Sequence, residues 1–326
     1  GCNALTAALG ALGIGPGDEV IVPAHTYMAT AVAVLAVGAI PLIVDIDDTI
    51  TLCPKATEAA IGPRTKAIIP VHMWGLPCDM KSLMAIAKKH KLLVIEDACQ
   101  AVGGSYEGQK CGSIGDVGCF SFNYYKNMTA GEGGALATNN PEVLTRARCM
   151  VDCCSFYWNR ENLSTEHFVA NGARATEIAG AILNIQLDRL PDMIKRMRGI
   201  KHRVLKAVAD TKLKPIRANS LAWECGTTIS FTLPTEEIAA AFAKDFGCGI
   251  AGRTGRHVYT DWDPILEHKG AHHPALNPYL LKENAKCRKT YSRDMCQKSL
   301  DILRRTIMIS THPDWDRKKV NEVVRK

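Results

Sequence analysis

The sequence of 326 residues has no apolar run long enough to span a bilayer, which predicts a protein that does not cross a membrane. It has no Cys-x-x-Cys pair, and the adjacent Cys153 and Cys154 do not have the spacing of zinc ligands. Aromatic residues are scarce, at 6%, and no basic stripe is interleaved with them, so nucleic acid is not expected as a partner. Internal repeats and low-complexity tracts are also missing. These absences favour a compact globular protein.

Thirteen cysteines are present, but they do not indicate a disulfide scaffold, which is typical of short secreted chains. Several lie within apolar segments, where a free cysteine behaves as a small hydrophobic residue (Cys99, Cys119 and Cys149). We therefore expect free thiols and a cytoplasmic location. The net charge of +7 is moderate and favours anionic small molecules as ligands.

Short apolar segments alternate with segments of helical periodicity along the first hundred residues. The apolar segments EVIVP, IPLIVDI, KAIIPVH and KLLVIED predict a mostly parallel sheet with helices on both faces. VGCFSF and GALAT follow without room for a helix between them, so an antiparallel or edge addition is expected. A long helix is predicted from Ala175 to Asp210, interrupted by Pro191. The pattern predicts an α/β fold with a large domain, residues 1–210, and a smaller α+β domain, residues 211–326.

Four polar residues follow two of the predicted strands: Asp97, Gln100, Ser121 and Lys126. Taken singly, Asp97 is more often a loop acid or helix cap, and Lys126 a surface lysine. Together they match the needs of pyridoxal phosphate, which are a Schiff-base lysine, an acid at the ring nitrogen, a donor to the ring oxygen, and hydroxyl and backbone donors around the phosphate. Lys126, Asp97, Gln100 and Ser121 would supply these in turn. The turn Gly1–Asn3 and the helix after it would direct a positive helix end at the phosphate.

Longer stretches resemble one known family. ALGIGPGDEVIVPAHTYMATA, GAIPLIVDID, IEDACQAVGG, GDVGCFSFNYYKNMTAGEGGALAT and RATEIAGAILNIQLDRL resemble the DegT/DnrJ/EryC1/StrS sugar aminotransferases in order and spacing. The resemblance implies fold type I and the same roles for the four residues above. It also implies that Tyr27 covers one face of the cofactor ring. Core packing at the start of a helix is the alternative for Tyr27.

This sequence departs from the family pattern at two positions. Cys2 stands where the family usually has Thr, so a phosphate-binding hydroxyl is replaced by a weaker thiol donor, and the backbone N–H groups of Gly1, Cys2 and Asn3 would do most of the work. Gly172 stands where the family has an Asn that reaches the partner subunit's phosphate, and Asn171 is the substitute we expect. Since the chain begins at Gly1 in what looks like the middle of a functional loop, we also expect an N-terminal segment before it.

The resemblance implies transfer of an amino group, with glutamate as the expected donor, to a keto- or aldo-sugar. The segment 251–281 is rich in Arg, His and aromatic residues and could bind an anionic sugar, either nucleotide-linked or a sugar acid such as an oxidised 3-deoxy-octulosonate. The alternative is that Arg256, His272 and His273 are ordinary loop residues. By resemblance, the protein is a homodimer in which two subunits share each active site.

Two other classes of function remain open at this point. Asp45 and Asp47 form an Asp-x-Asp pair at a strand end, which a metal-dependent glycosyltransferase could use to hold a cation, although such acids often only cap a turn. A non-catalytic regulator that binds the cofactor would keep the pocket without turnover.

Overall fold

The computed structural model describes residues 1–154 and 168–325. Its larger sheet has six strands in the order β2-β1-β3-β4-β7-β8, and all neighbours except the last pair are parallel. The strands are β1 (Glu19–Pro23), β2 (Ile40–Val44), β3 (Thr65–Ile68), β4 (Leu93–Asp97), β7 (Val117–Ser121) and β8 (Gly134–Ala137). The predicted α/β fold with a mostly parallel sheet is confirmed.

Helices cover both faces of this sheet because successive residues of each buried strand point to opposite sides. In β1, Val20 and Val22 pack in one core cluster, and Ile21 packs in another. The first cluster includes apolar residues of α1 and α2, and the second includes those of α4, with α3 residues at its margin. These helices are α1 (Cys2–Ala11), α2 (Ala29–Ala36), α3 (Pro54–Ala60) and α4 (Met80–His90).

The strand that ends the sheet runs in the opposite direction to its neighbour. Strand β8 pairs antiparallel with β7, in a register that joins Ser121 to Gly134, and it forms one edge. This confirms the expected antiparallel addition. A two-stranded hairpin, β5 (Ser105–Tyr106) and β6 (Gln109–Lys110), lies between β4 and β7 in the chain and was not predicted. Helix α5 (Pro141–Val151) follows β8.

The long helix α6 spans Glu177–Ala207 and continues through Pro191, so the predicted interruption is wrong. Proline removes one backbone hydrogen bond, but the flanking turns are fixed by tertiary packing. Leu190, Ile194 and Met197 pack against Ala98, Val102 and other buried residues beyond β4, and the later residues Ile200 and Val204 pack against the second sheet.

The second sheet has four strands in the order β11-β12-β10-β9. Its strands are β9 (Lys214–Pro215), β10 (Thr228–Thr232), β11 (Gly249–Ile250) and β12 (Thr306–Ser310), and the helices near it in the chain are α7 (Glu236–Phe246), α9 (Gln297–Arg304) and α10 (Arg317–Arg325). Between β11 and α9 lie the four-residue helix α8 (Asp263–Leu266) and several short 3-10 turns.

The segment between β11 and β12 also packs against the larger sheet. Tyr259, Trp262 and Leu303 are fully buried in the same cluster as α1 and α2. The boundary at residues 210 and 211 therefore stays a prediction. All thirteen cysteines lie within the described ranges and carry free thiols. In those ranges, no helix is both long and apolar enough to cross a membrane.

Candidate active site

The carboxyl ends of β4 and β7 bring two of the predicted residues together. The two strands are parallel neighbours, and Asp97 is paired in register with Cys119, two residues before Ser121. Because side chains alternate along a strand, Asp97 and Ser121 share one face of the sheet. Both side chains are buried. Ligands of open α/β sheets bind at this end of the strands.

The carboxylate of Asp97 has a fixed orientation. Its Oδ2 accepts a hydrogen bond from Thr30 Oγ1 of α2 at 2.8 Å, and its Oδ1 accepts one from the Cys99 backbone N–H at 3.2 Å. Thr30 Oγ1 in turn lies 2.8 Å from Thr26 Oγ1. This chain of polar groups ties the acid to the segment that follows β1, so its position is set before any ligand binds.

The N-terminus of α1 lies against the same strand ends. A Cβ atom placed on Gly1 would lie 2.9 Å from Cys99 Sγ and 3.0 Å from Ser121 Cβ, so a larger residue here would crowd both side chains. The helix has no side-chain cap, and its first backbone bond runs from Leu5 N–H to Gly1 O. The N–H groups of residues 2–4 thus have no partner within the helix, and they can donate to an anion beside Ser121.

Ser121 and Gln100 each have a hydrogen-bond donor that is not used by another of the described residues. Ser121 Oγ accepts a weak bond from the Asn123 N–H at 3.4 Å, which leaves the hydroxyl proton free to donate. Gln100 Oε1 accepts the N–H of Trp74 at 3.3 Å, so the amide nitrogen of Gln100 is available as a donor. Both can therefore serve the acceptor atoms that the sequence assigned to them.

Lys126 lies in the turn after β7, with its backbone N–H bonded to Asn123 O at 2.9 Å, and its side chain is half-buried. The positive charge of Lys126 also affects the pKa of His257. The pKa of the His257 imidazole is lowered to about 3, first by burial and then by the charges of His25, Arg256 and Lys126. His257 is therefore neutral near neutral pH, because burial and the nearby positive charges both disfavour the protonated imidazole.

Aromatic rings line one side of this region. Tyr27 lies 6.1 Å from His257, and Trp74 lies 5.7 Å from His257 and 4.7 Å from His25, measured between ring centroids. Tyr27 is 47% exposed and lies in the segment before α2, which begins at Ala29. It is not packed in the core and stays the predicted cover of a ring face.

Some predicted residues are not brought to this place. Asn171 is exposed. Glu166 and His167, the first residues of the loop 166–177 that is expected to reach the partner subunit, lie outside the described residues. His272 and His273 are exposed, and His273 Nδ1 accepts the N–H of Ala275 at 3.1 Å, as a loop residue would.

The acids of the glycosyltransferase alternative are already occupied by protein groups. Asp45 Oδ1 accepts the N–H of Ser299 at 3.0 Å, and Asp47 Oδ2 lies 3.0 Å from the Arg217 guanidinium. No group of His, Cys, Asp and Glu that could hold a metal ion occurs in residues 1–154 or 168–325. This geometry does not favour the alternative.

Sequence reasoning missed Thr30, Trp74 and the role of His257. Thr30 is a plain helix residue in the sequence, and its contact with Asp97 spans 67 positions. His257 lay within the Arg- and His-rich segment 251–281, so the composition pointed to its neighbourhood without identifying it.

The chain is similar in sequence to a known protein family and to several of its members. The model of the DegT/DnrJ/EryC1/StrS aminotransferase family matches residues 1–238. A UDP-N-acetyl-3-dehydro-alpha-D-glucosamine 3-aminotransferase of Acidithiobacillus ferrooxidans is 56% identical over 150 residues, covering 45% of this chain and 41% of the relative. A GDP-perosamine synthase of Caulobacter vibrioides is 42% identical over 223 residues, covering 66% and 58%. The chain thus spans about half the length of these relatives.

A solved structure is similar over nearly the whole chain. The aminotransferase from Psychrobacter cryohalolentis has a TM-score of 0.79 and 26% sequence identity, and the match covers 99% of this chain and 83% of that one. The aminotransferases of this family depend on pyridoxal phosphate. The residues described above fit that group, since a glycine-lined, uncapped helix end lies beside Ser121 for the phosphate and a buried, oriented carboxylate lies nearby for the ring nitrogen.

Proposed function

Since the chain belongs to the DegT/DnrJ/EryC1/StrS aminotransferase family, we propose that it is a pyridoxal phosphate-dependent aminotransferase that acts on a sugar. The observation that supports this most is the convergence of Asp97, Ser121 and the N-terminus of α1 at the carboxyl ends of β4 and β7. These groups match the two ends of the cofactor ring. Lys126 follows Ser121 by five residues.

Each residue then has a defined task. Ser121 Oγ and the N–H groups of Cys2 and Asn3 bind the phosphate, while Gln100 donates its amide hydrogen to the ring oxygen. Asp97, held by Thr30, keeps a proton on the ring nitrogen. The bound cofactor supplies an electron sink for the carbon that carries the amino group. Lys126 Nζ would anchor the cofactor and, once displaced by the amino substrate, would move a proton between that carbon and the cofactor.

We also propose that the amino donor is glutamate and that the acceptor is a keto- or aldo-sugar that carries an anionic group. The molecule is a homodimer whose subunits share the active sites, and it works in the cytoplasm. The names of the similar proteins support a sugar acceptor, because two of them are a nucleotide-sugar 3-aminotransferase and a perosamine synthase.

The test compares wild-type protein with Lys126→Ala after loading with pyridoxal phosphate and reduction with borohydride. Wild-type protein should retain the cofactor covalently on the peptide that contains Lys126, detected by mass spectrometry, and should transfer nitrogen from glutamate. The variant should lose both properties while keeping its fold. Lys110→Ala, which changes an exposed lysine in the β5–β6 hairpin, is the matched control and should behave as wild type.

Three results would contradict the proposal. Cofactor linked to another lysine in Lys126→Ala would remove Lys126 from its role. Wild-type protein that binds the cofactor on Lys126, yet never exchanges nitrogen with any amino acid, would favour the regulator that binds without turnover. Protein that binds no cofactor would overturn the function as a whole.

A further inference from the structure

A loop from the C-terminal half of the chain is fastened beside the proposed cofactor site. Thr26 N–H donates to His257 O at 2.9 Å, and Tyr259 N–H donates to Ala24 O at 3.0 Å. Ala24 follows β1 directly, so these two bonds hold the loop at the carboxyl end of the sheet. Gly255 has a φ of +70°, which favours glycine at the bend just before Arg256.

This loop places Arg256 next to Tyr125, which precedes Lys126 in the chain. Its guanidinium carbon lies 5.8 Å from the ring centroid of Tyr125. No carboxylate of the described residues lies within ion-pair distance of Arg256. Arg253, three residues earlier in the same loop, is different, since its guanidinium pairs with Glu236 at 3.0 Å. Of the two arginines, only Arg256 is left without an anionic partner in the described ranges.

The surrounding charge favours an anion at this point. Lys126 and Arg256 both lower the pKa of His257, so both charges act on the same small region. His257 itself is neutral and adds no charge. In the proposed function Lys126 binds the cofactor. Of these two cations, Arg256 is therefore the one that can bind an anionic substrate.

The stacking contact also suits recognition. A guanidinium group that lies over an aromatic ring keeps its N–H edge free, and this edge matches a carboxylate or phosphate in a bidentate manner. A lysine offers only a point charge and cannot form the same pair of bonds. Tyr125 thus limits the movement of Arg256 without using its donors.

We propose that Arg256 binds the anionic group of the acceptor sugar, a carboxylate or a diphosphate, and so determines which acceptors the protein selects. This inference rests on the proposed function, because it assigns the ligand of the same site. Arg256 contacts the substrate away from the carbon that gains nitrogen, so it governs acceptor affinity and leaves the reaction with the amino donor intact.

Binding to cofactor-loaded protein separates the two sources of the anion. Calorimetric titration with UDP probes a diphosphate, and titration with glucuronate probes a sugar carboxylate. We expect wild-type protein to bind one of them, and Arg256→Ala to bind it about 10- to 100-fold more weakly, as for a lost charge-assisted hydrogen bond. Arg256→Lys should lie between them, and the control Arg253→Ala should match wild type.

The reaction with the amino donor distinguishes the proposed role of Arg256 from the proposed aminotransferase function. Conversion of the bound cofactor by glutamate alone, followed by its absorbance, should have the same rate in wild type, Arg256→Ala and Arg253→Ala. Wild-type binding of neither probe, equal binding by Arg256→Ala, or a donor reaction impaired only in Arg256→Ala would each overturn the assignment. Failure of glutamate to convert wild-type protein would instead count against the proposed function.

Discussion

The carboxylate of Asp97 depends on a hydroxyl from another element for its orientation. Thr30 Oγ1 donates to it at 2.8 Å, and both side chains are buried. A buried carboxylate with fixed partners needs no rearrangement when charge develops on a bound ring, which is the condition under which electrostatic stabilisation is most effective.

Asp97→Asn should therefore reduce the rate of amino transfer by roughly two orders of magnitude or more, as for the loss of a positioned electrostatic partner, at little cost in volume. Thr30→Val should give a smaller loss, because the charge remains and only its orientation is relaxed. Single-turnover rates with glutamate measure both effects, and urea unfolding verifies the fold. Near wild-type turnover in Asp97→Asn would mean that another group keeps the ring nitrogen protonated.

Individual site residues differ in how readily the sequence reveals them. Asp97 and Ser121 were predictable, because each ends an apolar strand and parallel strands end at the same edge. Thr30 and Trp74 were not, because their partners are distant in the chain: Thr30 meets Asp97, and the Trp74 N–H meets Gln100. Periodicity reports which face of an element is buried, but it does not report which polar groups meet across two elements.

At the scale of elements, most strands and helices follow from hydrophobic patterning. Strand β1 has the predicted bounds, Glu19–Pro23. The errors arise where tertiary packing overrides a local signal. Helix α6 runs through Pro191 because its flanking turns are held by buried side chains. The two-residue strands β9 and β11 carry too few residues to show a period.

The segment that joins β1 to α2 contains a titratable group that links stability to pH. His25 is fully buried, its Nδ1 bonds the Ile50 carbonyl at 3.0 Å, and burial lowers its pKa from 6.5 to about 4. The unfolded chain therefore binds a proton at a higher pH than the folded protein does. The free energy of unfolding should fall as the pH drops from 6.5 to about 4, by about 3 kcal/mol from this group, and the contribution should level off below.

His25→Asn removes this titration and keeps an amide donor for the Ile50 carbonyl. Urea unfolding at several pH values should show a shallower fall for the variant than for wild type between pH 6.5 and about 4. His272→Asn, which changes an exposed histidine, serves as the control and should keep the wild-type slope. Identical slopes in all three proteins would show that His25 does not couple protonation to unfolding.

At the scale of the whole molecule, an exposed apolar surface on α6 is suited to contact a second subunit. Ile178, Ile182 and Ile185 of α6 are spaced for one helix face and are 74%, 42% and 63% exposed. Val169, in the segment that precedes the helix, is 93% exposed. A continuous apolar stripe of this kind usually marks a protein interface. Asn171 lies between Val169 and this stripe and is also exposed, so a contact made by this surface would bring Asn171 to a second subunit.

The last prediction follows from that position. In a two-fold dimer each subunit offers the same patch, so a loop that leaves its own site can complete the partner's. We expect Asn171, or the backbone beside it, to reach the phosphate of the partner's cofactor.

Lys126→Ala and Asn171→Ala homodimers should each be impaired. In a mixed dimer one site would carry both defects and the other neither, so part of the activity should return on subunit exchange, measured against tagged and purified mixed dimers. The N-cap of α6 is Thr176, whose Oγ1 accepts the Ala179 N–H at 3.1 Å, so the alternative that Asn171 caps this helix is wrong. A role for Asn171 in its own subunit's site would give no return, and a monomer in solution would exclude shared sites. Because the restored site holds an intact Lys126 from one chain and an intact Asn171 from the other, recovery of activity can come only from a site built by both subunits.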